Sequence, residues 1–201
     1  GLLGCVATNV NRGRRDLEVF EVARTYGASD ERAMLGVVLA GRRRSSWETQ
    51  SAPYTFFDAK GIVEVLAKAL GAGGISFAAS QKPFADKSSC VDILLGSDDA
   101  AGYVARMTSV AKKEQGIKIK DDIFIVELDL EKVAKRAQVR RSYAPFASVP
   151  SIHRDISLVT GPQAPFARLC SHILKMGGGV VRSVALGGVY EGQEIPQGRV
   201  G

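Results

Sequence analysis

The chain has 201 residues, 45% of them hydrophobic, three cysteines, and 27 Lys and Arg against 21 Asp and Glu. That length allows one large or two smaller domains with a sizeable core. No apolar run approaches the roughly 20 residues of a membrane-spanning helix, the opening GLLGCVATNVNRG lacks the leading charge of a signal peptide, and Cys5, Cys90 and Cys170 are too scattered for a disulfide framework or a zinc knuckle.

A soluble, cytosolic protein is the expectation, and the lack of an initiating Met, or of a cap before the first apolar residues, points to a chain that begins inside a longer one. Residues 2–11 place apolar side chains at 2, 3, 6 and 10, and Arg12, Arg14 and Arg15 suit a helix C-terminus, so a helix ending at Gly13 is predicted. Residues 16–26 are β-branched and aromatic on both alternating faces, which predicts a strand with both faces largely covered; residues 33–40 are its hairpin partner across the turn GASDE. Arg42, Arg43 and Arg44 then precede the only tryptophan, Trp47. That run is either a phosphate-binding patch or, more simply, a solvated loop balanced by nearby acids.

Residues 55–70 predict the clearest helix, opened by Phe57 or Asp58, with Ile62, Val63, Leu66, Ala67 and Leu70 on one face and Gly71 as a left-handed cap. The glycines of GAGG run from helix to strand, the wrong order for a phosphate cradle, and read as cap and turn. Strands are predicted at 75–80, 90–95, 102–107 and 123–128. With no crossover helix of the usual length among them, the sheet should be mainly antiparallel. Residues 129–138 predict a short helix with an aspartate cap and a basic exposed face.

Charge then changes character. Residues 1–131 carry 17 basic and 18 acidic side chains, whereas residues 132–190 carry nine basic ones against Asp155 alone. Clustered cations favour a polyanion through counterion release; a solubilising surface would have the same composition. Pro145 and Pro150 mark residues 132–154 as a connection between domains, and Tyr143 and Phe146 lie among Lys132, Lys135, Arg136, Arg140, Arg141 and Arg154. Single-stranded RNA surfaces use that mixture, with bases on rings and phosphates on cations, and aromatics anchoring a linker would look alike. A strand at 155–160, a helix at 163–176 with Phe166, Leu169, Cys170, Ile173 and Leu174 on one face, and a strand at 180–190 form the β-α-β opening of a small ferredoxin-like module. A complete module needs another helix and strand, so this one is expected to be cut short.

Little catalytic chemistry is in view. The two histidines are His153 and His172; His153 would share a strand face with Asp155, but no nucleophile elbow or second metal ligand accompanies them. Asp98 with Asp99, and Asp121 with Asp122, sit in turn settings that favour aspartate anyway. No catalytic and no metal-binding residue is predicted.

Asn9, Asn11, Arg12, Asp16, Phe20 and Glu21 form an N-x-N-R-x-x-x-D-x-x-x-F-E segment, and Phe56, Phe57, Asp58, Lys60, Gly61 and Glu64 form F-F-D-x-K-G-x-x-E. Pro150, Arg154, Asp155, Ile156 and Leu158 form P-x-x-x-R-D-[IL]-[AS]-[LF], and Val189, Tyr190, Gly192, Pro196 and Gly198 form V-Y-x-G-x-x-[IL]-P-x-G. Read together, the four segments resemble the β subunit of bacterial phenylalanyl-tRNA synthetase, in which the third is the entry of the anticodon-binding domain and the fourth a hairpin. The chain departs from the family at Asp86, Lys87 and Ser88, where His-Pro-Gly is usual, at Thr108 and Ser109, a second His-Pro position, and at Gly187 and Gly188, where Phe-Asp is common.

The resemblance implies an α+β architecture. Residues 1–140 would be a noncatalytic core domain with the mainly antiparallel sheet and helices of class II synthetases, and residues 141–201 a truncated ferredoxin-fold anticodon-binding domain. It implies a catalytic α subunit as partner in an (αβ)2 assembly, ATP and Mg2+ for the whole enzyme but no cofactor in this stretch, no membrane, and tRNA(Phe) contacted through Arg140, Arg141, Tyr143, Arg154, Arg168, Lys175 and Arg182. Two other readings stand beside it: a free-standing RNA-binding protein built from a dead synthetase domain, and a scaffold whose basic module binds acidic protein. The ligase-subunit reading expects an exposed apolar patch on residues 1–140, the free-standing one a polar surface.

Overall fold

A computed structural model describes residues 1–27, 30–45, 47, 50–96, 99–138, 143, 148–161 and 164–190. The chain divides into two compact units, Gly1–Tyr143 and Ala144–Gly201. No helix among the described residues is long and apolar enough to cross a membrane.

The first unit runs α1 (Leu2–Asn11), β1 (Leu17–Tyr26), β2 (Glu31–Ala40), α2 (Phe56–Leu70), β3 (Ile75–Ala79), β4 (Ala85–Leu95), β5 (Asp99–Met107), α3 (Ser109–Glu114), β6 (Ile123–Asp129) and α4 (Leu130–Arg136). Its strands form one six-stranded sheet in the order β1-β2-β6-β5-β4-β3. Every pairing is antiparallel.

Side chains alternate between the faces of a strand, and each face of this sheet has its own core. Phe124, Val126 and Leu128 of β6 join Leu35, Val37, Val104 and Ile93 under Ala59 and Val63 of α2 and Val133 of α4. Ile123 and Ile125 join Val38, Ala40 and Met107 on the other face, under Val6 and Val10 of α1 and Ala111 of α3.

Helix α2 begins before the expected Phe57 or Asp58, at Phe56, because Thr55 closes a capping box. The Asp58 backbone N–H donates to Thr55 Oγ1 (3.4 Å) and the Thr55 N–H to Asp58 Oδ2 (2.7 Å). Gly71 ends the helix at φ 65°, and a Cβ there would lie 2.6 Å from the Gln138 carbonyl oxygen, so glycine is required on both counts. Thr108 and Ser109 open α3, a six-residue helix too short to leave a readable period; Thr108 caps it by accepting from the Ala111 N–H (3.2 Å). Asp86 accepts from the Ser88 N–H (3.0 Å) and pairs with Arg106 (3.2 Å). The Ser88 bonds first, then Arg106, hold its carboxyl below the usual range.

Two expectations fail. Strand β1 is not covered on both faces: beyond Leu17 and the half-buried Val19 it is exposed throughout. It lies at the sheet edge, and the helices of the first face pack over β2, β5 and β6. In the second unit the helix forms as α5 (Phe166–Met176), starting three residues later than expected, but residues 155–159 and 181–190 form no strand. Alternation describes side chains only; a strand exists where its backbone groups find a ladder partner, and, among the described residues, 155–159 and 181–190 have none.

The first unit should unfold cooperatively around its central strands. Ile93→Ala, at a fully buried position, is expected to cost about 2–5 kcal/mol, and Thr55→Ala about 1 kcal/mol. Denaturant titration of each variant checks the contrast, and equal costs would contradict this picture of the core.

Candidate functional site

The basic residues of the second unit sit on a simple scaffold. Arg168, His172 and Lys175 recur at i, i+4 and i+7 along α5, a spacing that puts them on one side of the helix. With Ala164, Pro165, Leu169 and Ser171 they line a shallow groove. Phe166, Cys170, Ile173 and Leu174 occupy the opposite side, none of them fully buried.

Arg168 and Lys175 are therefore brought together, whereas Arg154 and Arg182 lie on irregular segments before and after α5, both exposed. Arg154 Nη1 donates to the His153 carbonyl (3.0 Å). With no strand there, His153 and Asp155 do not share a strand face. Tyr143 is exposed; Arg140, Arg141 and Phe146 fall outside the described residues. Sequence reasoning passed over His172, although its spacing from Arg168 and Lys175 was there to be read.

On the α1 side of the large sheet, the strand registers align Glu21, Gly36, Glu127, Tyr103, Asp92 and Ala78 in one row. Its polar groups close on one another. Lys82 Nζ is 3.0 Å from Asp92 Oδ1 and 5.3 Å from the Tyr103 ring centroid. Burial, and then the hydrogen bond to Glu127, push the Tyr103 hydroxyl well above its ordinary pKa; burial and Glu18 do the same to Tyr54. Among the described residues no three His, Cys, Asp or Glu side chains group as a metal site. In this row Lys82 pairs with Asp92 and Tyr103 bonds Glu127, and the row presents no nucleophile beside a base.

The outer strand offers a different kind of surface. Phe20, Val22 and Tyr26 point to the same face of β1 by alternation, at 73%, 58% and 78% exposure. With Arg24, which lies between Val22 and Tyr26 and pairs with Glu31, they run along a ten-residue edge strand whose outer backbone groups have no ladder neighbour among the described residues.

Residues 1–130 match the family model described as "Phenylalanyl tRNA synthetase beta chain CLM domain". The chain is similar to the phenylalanine–tRNA ligase beta subunit of Methylococcus capsulatus, 28% identical over 99% of this chain and 25% of that protein. It is likewise similar to that of Mannheimia succiniciproducens, 30% identical over 98% of this chain and 25% of that protein. It thus spans about a quarter of the length of these relatives. Among solved structures, pyrrolysyl-tRNA synthetase from Desulfitobacterium hafniense aligns over 66% of this chain and 45% of its own, at 14% identity and a TM-score of 0.44.

Because Tyr54 and Tyr103 hold their protons more tightly in the fold than in the unfolded chain, the fold loses stability as pH rises above about 10, the unfolded phenol value. Phenolate absorbance should rise in two stages, and Tyr54→Phe with Tyr103→Phe should remove the later one. A late stage surviving in the double variant would refute the assignment.

Proposed function

The chain belongs to the phenylalanyl-tRNA synthetase β-chain family, and from that premise we propose that it supplies a noncatalytic part of a cytoplasmic phenylalanine–tRNA ligase. In this reading residues 1–140 are a class II synthetase-like core that docks on the catalytic α subunit in an (αβ)2 assembly. Residues 141–201 are the start of a ferredoxin-fold anticodon-binding domain that contacts tRNA(Phe).

The exposed stripe of Phe20, Val22 and Tyr26 carries the docking half of the proposal. Apolar side chains aligned on an unpaired edge strand leave water favourably only when another chain covers them, and a free-standing RNA binder would have a polar surface there. The charge step after residue 131 and the cations of α5 support the tRNA half. ATP and Mg2+ belong to the α subunit in this reading. The described residues do not fit them, since Asp92 is bound to Lys82 and Glu127 to Tyr103.

Phe20→Thr with Val22→Thr places a β-branched residue that suits a strand at each of two exposed positions, so the fold should change by no more than about 1 kcal/mol. The full-length variant should bind the α subunit at least about tenfold more weakly, and phenylalanine charging of tRNA should fall with it. An unchanged complex that charges normally would overturn the docking reading.

A further inference from the structure

Two arginine runs that are far apart in sequence meet at one end of the large sheet. Arg12, Arg14 and Arg15 precede β1, and Arg42, Arg43 and Arg44 follow β2. Leu17 pairs with Ala40, so the segments beyond these two residues continue side by side. The approach is close. Gly41 sits at φ +76°, and a Cβ on it would lie 2.6 Å from the Arg15 carbonyl oxygen and 2.4 Å from Asp16 Oδ1. The Arg42 N–H donates to that same Asp16 oxygen (2.8 Å).

Among the described residues the nearby acids have fixed partners; Asp58 is paired with an arginine side chain, while Asp16 and Glu18, bonded to neutral donors, keep their charge and offset part of the cluster. Asp16 holds the Arg42 backbone, Glu18 accepts from the Tyr54 hydroxyl, and Asp58 pairs with Arg43 (3.0 Å) while completing the α2 capping box. The Arg42 guanidinium turns onto Ser51, 3.2 Å from its hydroxyl and 2.9 Å from its carbonyl. Arg12, Arg14, Arg15 and Arg44 are exposed and have no carboxylate partner among the described residues. Solubility alone would be served by lysine. Every cation in these two runs is an arginine, which presents a planar fork that takes two oxygens of a phosphate at once. Trp47, three residues past Arg44 and 93% exposed, adds a ring on which a base can stack.

We infer that these two loops form a second RNA-binding surface, on unit Gly1–Tyr143, that takes backbone phosphates of the tRNA. The inference rests on the ligase-subunit reading and adds to it a contact outside the anticodon module. Phosphate contacts position without reading sequence, so this surface should contribute equally to cognate and unrelated tRNA.

The test is tRNA binding by the full-length subunit assembled with its α subunit, measured against salt concentration. Replacing Arg14, Arg15 and Arg44 together by Ala should make the slope of log K against log salt shallower by about two to three and weaken low-salt binding at least about tenfold. Replacing the same three by Lys should keep most of the slope. Should the triple Ala variant fail to assemble, Arg44→Ala alone should still lower the slope by about one. An unchanged slope in a variant whose wild type binds tRNA overturns this surface while leaving the subunit reading intact; failure of the wild-type complex to bind tRNA rejects that reading itself.

Discussion

Burial of β6 on both faces is the constraint on which the first unit depends. Phe124, Val126 and Leu128 look one way and Ile123 and Ile125 the other, so neither layer of helices can be removed without exposing the central strand. A chain of this length has only a few helices to spend on two faces. Helices α2 and α4 cover one and α1 with α3 the other, and the cover gives out at the margins. What is left uncovered is consequently a by-product of where the core had to be, and both proposed surfaces lie there.

The two sheet edges are finished differently. Strand β3 has five residues, and its Phe77 lies under the Lys60 ammonium, 4.4 Å from the ring centroid. A lysine stem laid over a ring shields it while keeping the charge in water. Strand β1 has ten residues, and Phe20 and Val22 on it are exposed. Proteins usually blunt an exposed edge by shortening it, charging it or covering it. The edge formed by β3 follows that practice. The β1 edge carries Glu18, Glu21 and Arg24 but keeps its ten residues and leaves Phe20, Val22 and Tyr26 exposed, and it is this combination that the docking proposal rests on.

Much of the first unit was legible because its signals are local. Residues 55–70 carry a helical period with a glycine stop, and the capping box, although missed, was written in Thr55 and Asp58. The antiparallel order followed from connections too short for crossover helices. Coverage was not legible: apolar residues on alternate faces of β1 look the same whether a helix or water lies above them. Residues 155–160 and 180–190 failed for a related reason, since a strand pattern does not say whether a ladder neighbour exists. At the candidate site, Arg168 and Lys175 could be paired through their spacing on α5, while Arg154 and Arg182 had no regular element to tie them to that helix.

The arginine surface shows why net charge along a sequence is a poor guide to the field around a fold. Residues 1–131 are almost neutral, with 17 cations and 18 acids, and the count alone directs a polyanion to the residues that follow. The acids, however, are used elsewhere. Asp86 and Asp122 hold Arg106, Asp92 holds Lys82, Asp99 holds Lys132 and Glu64 holds Lys60. Beyond a Debye length of about 8–10 Å an exposed acid does little to screen a cation, so balance summed over many residues does not neutralise two loops held in contact by Gly41 and Asp16. The antiparallel pairing of β1 with β2 makes the patch, because it joins two runs that the sequence keeps some thirty residues apart.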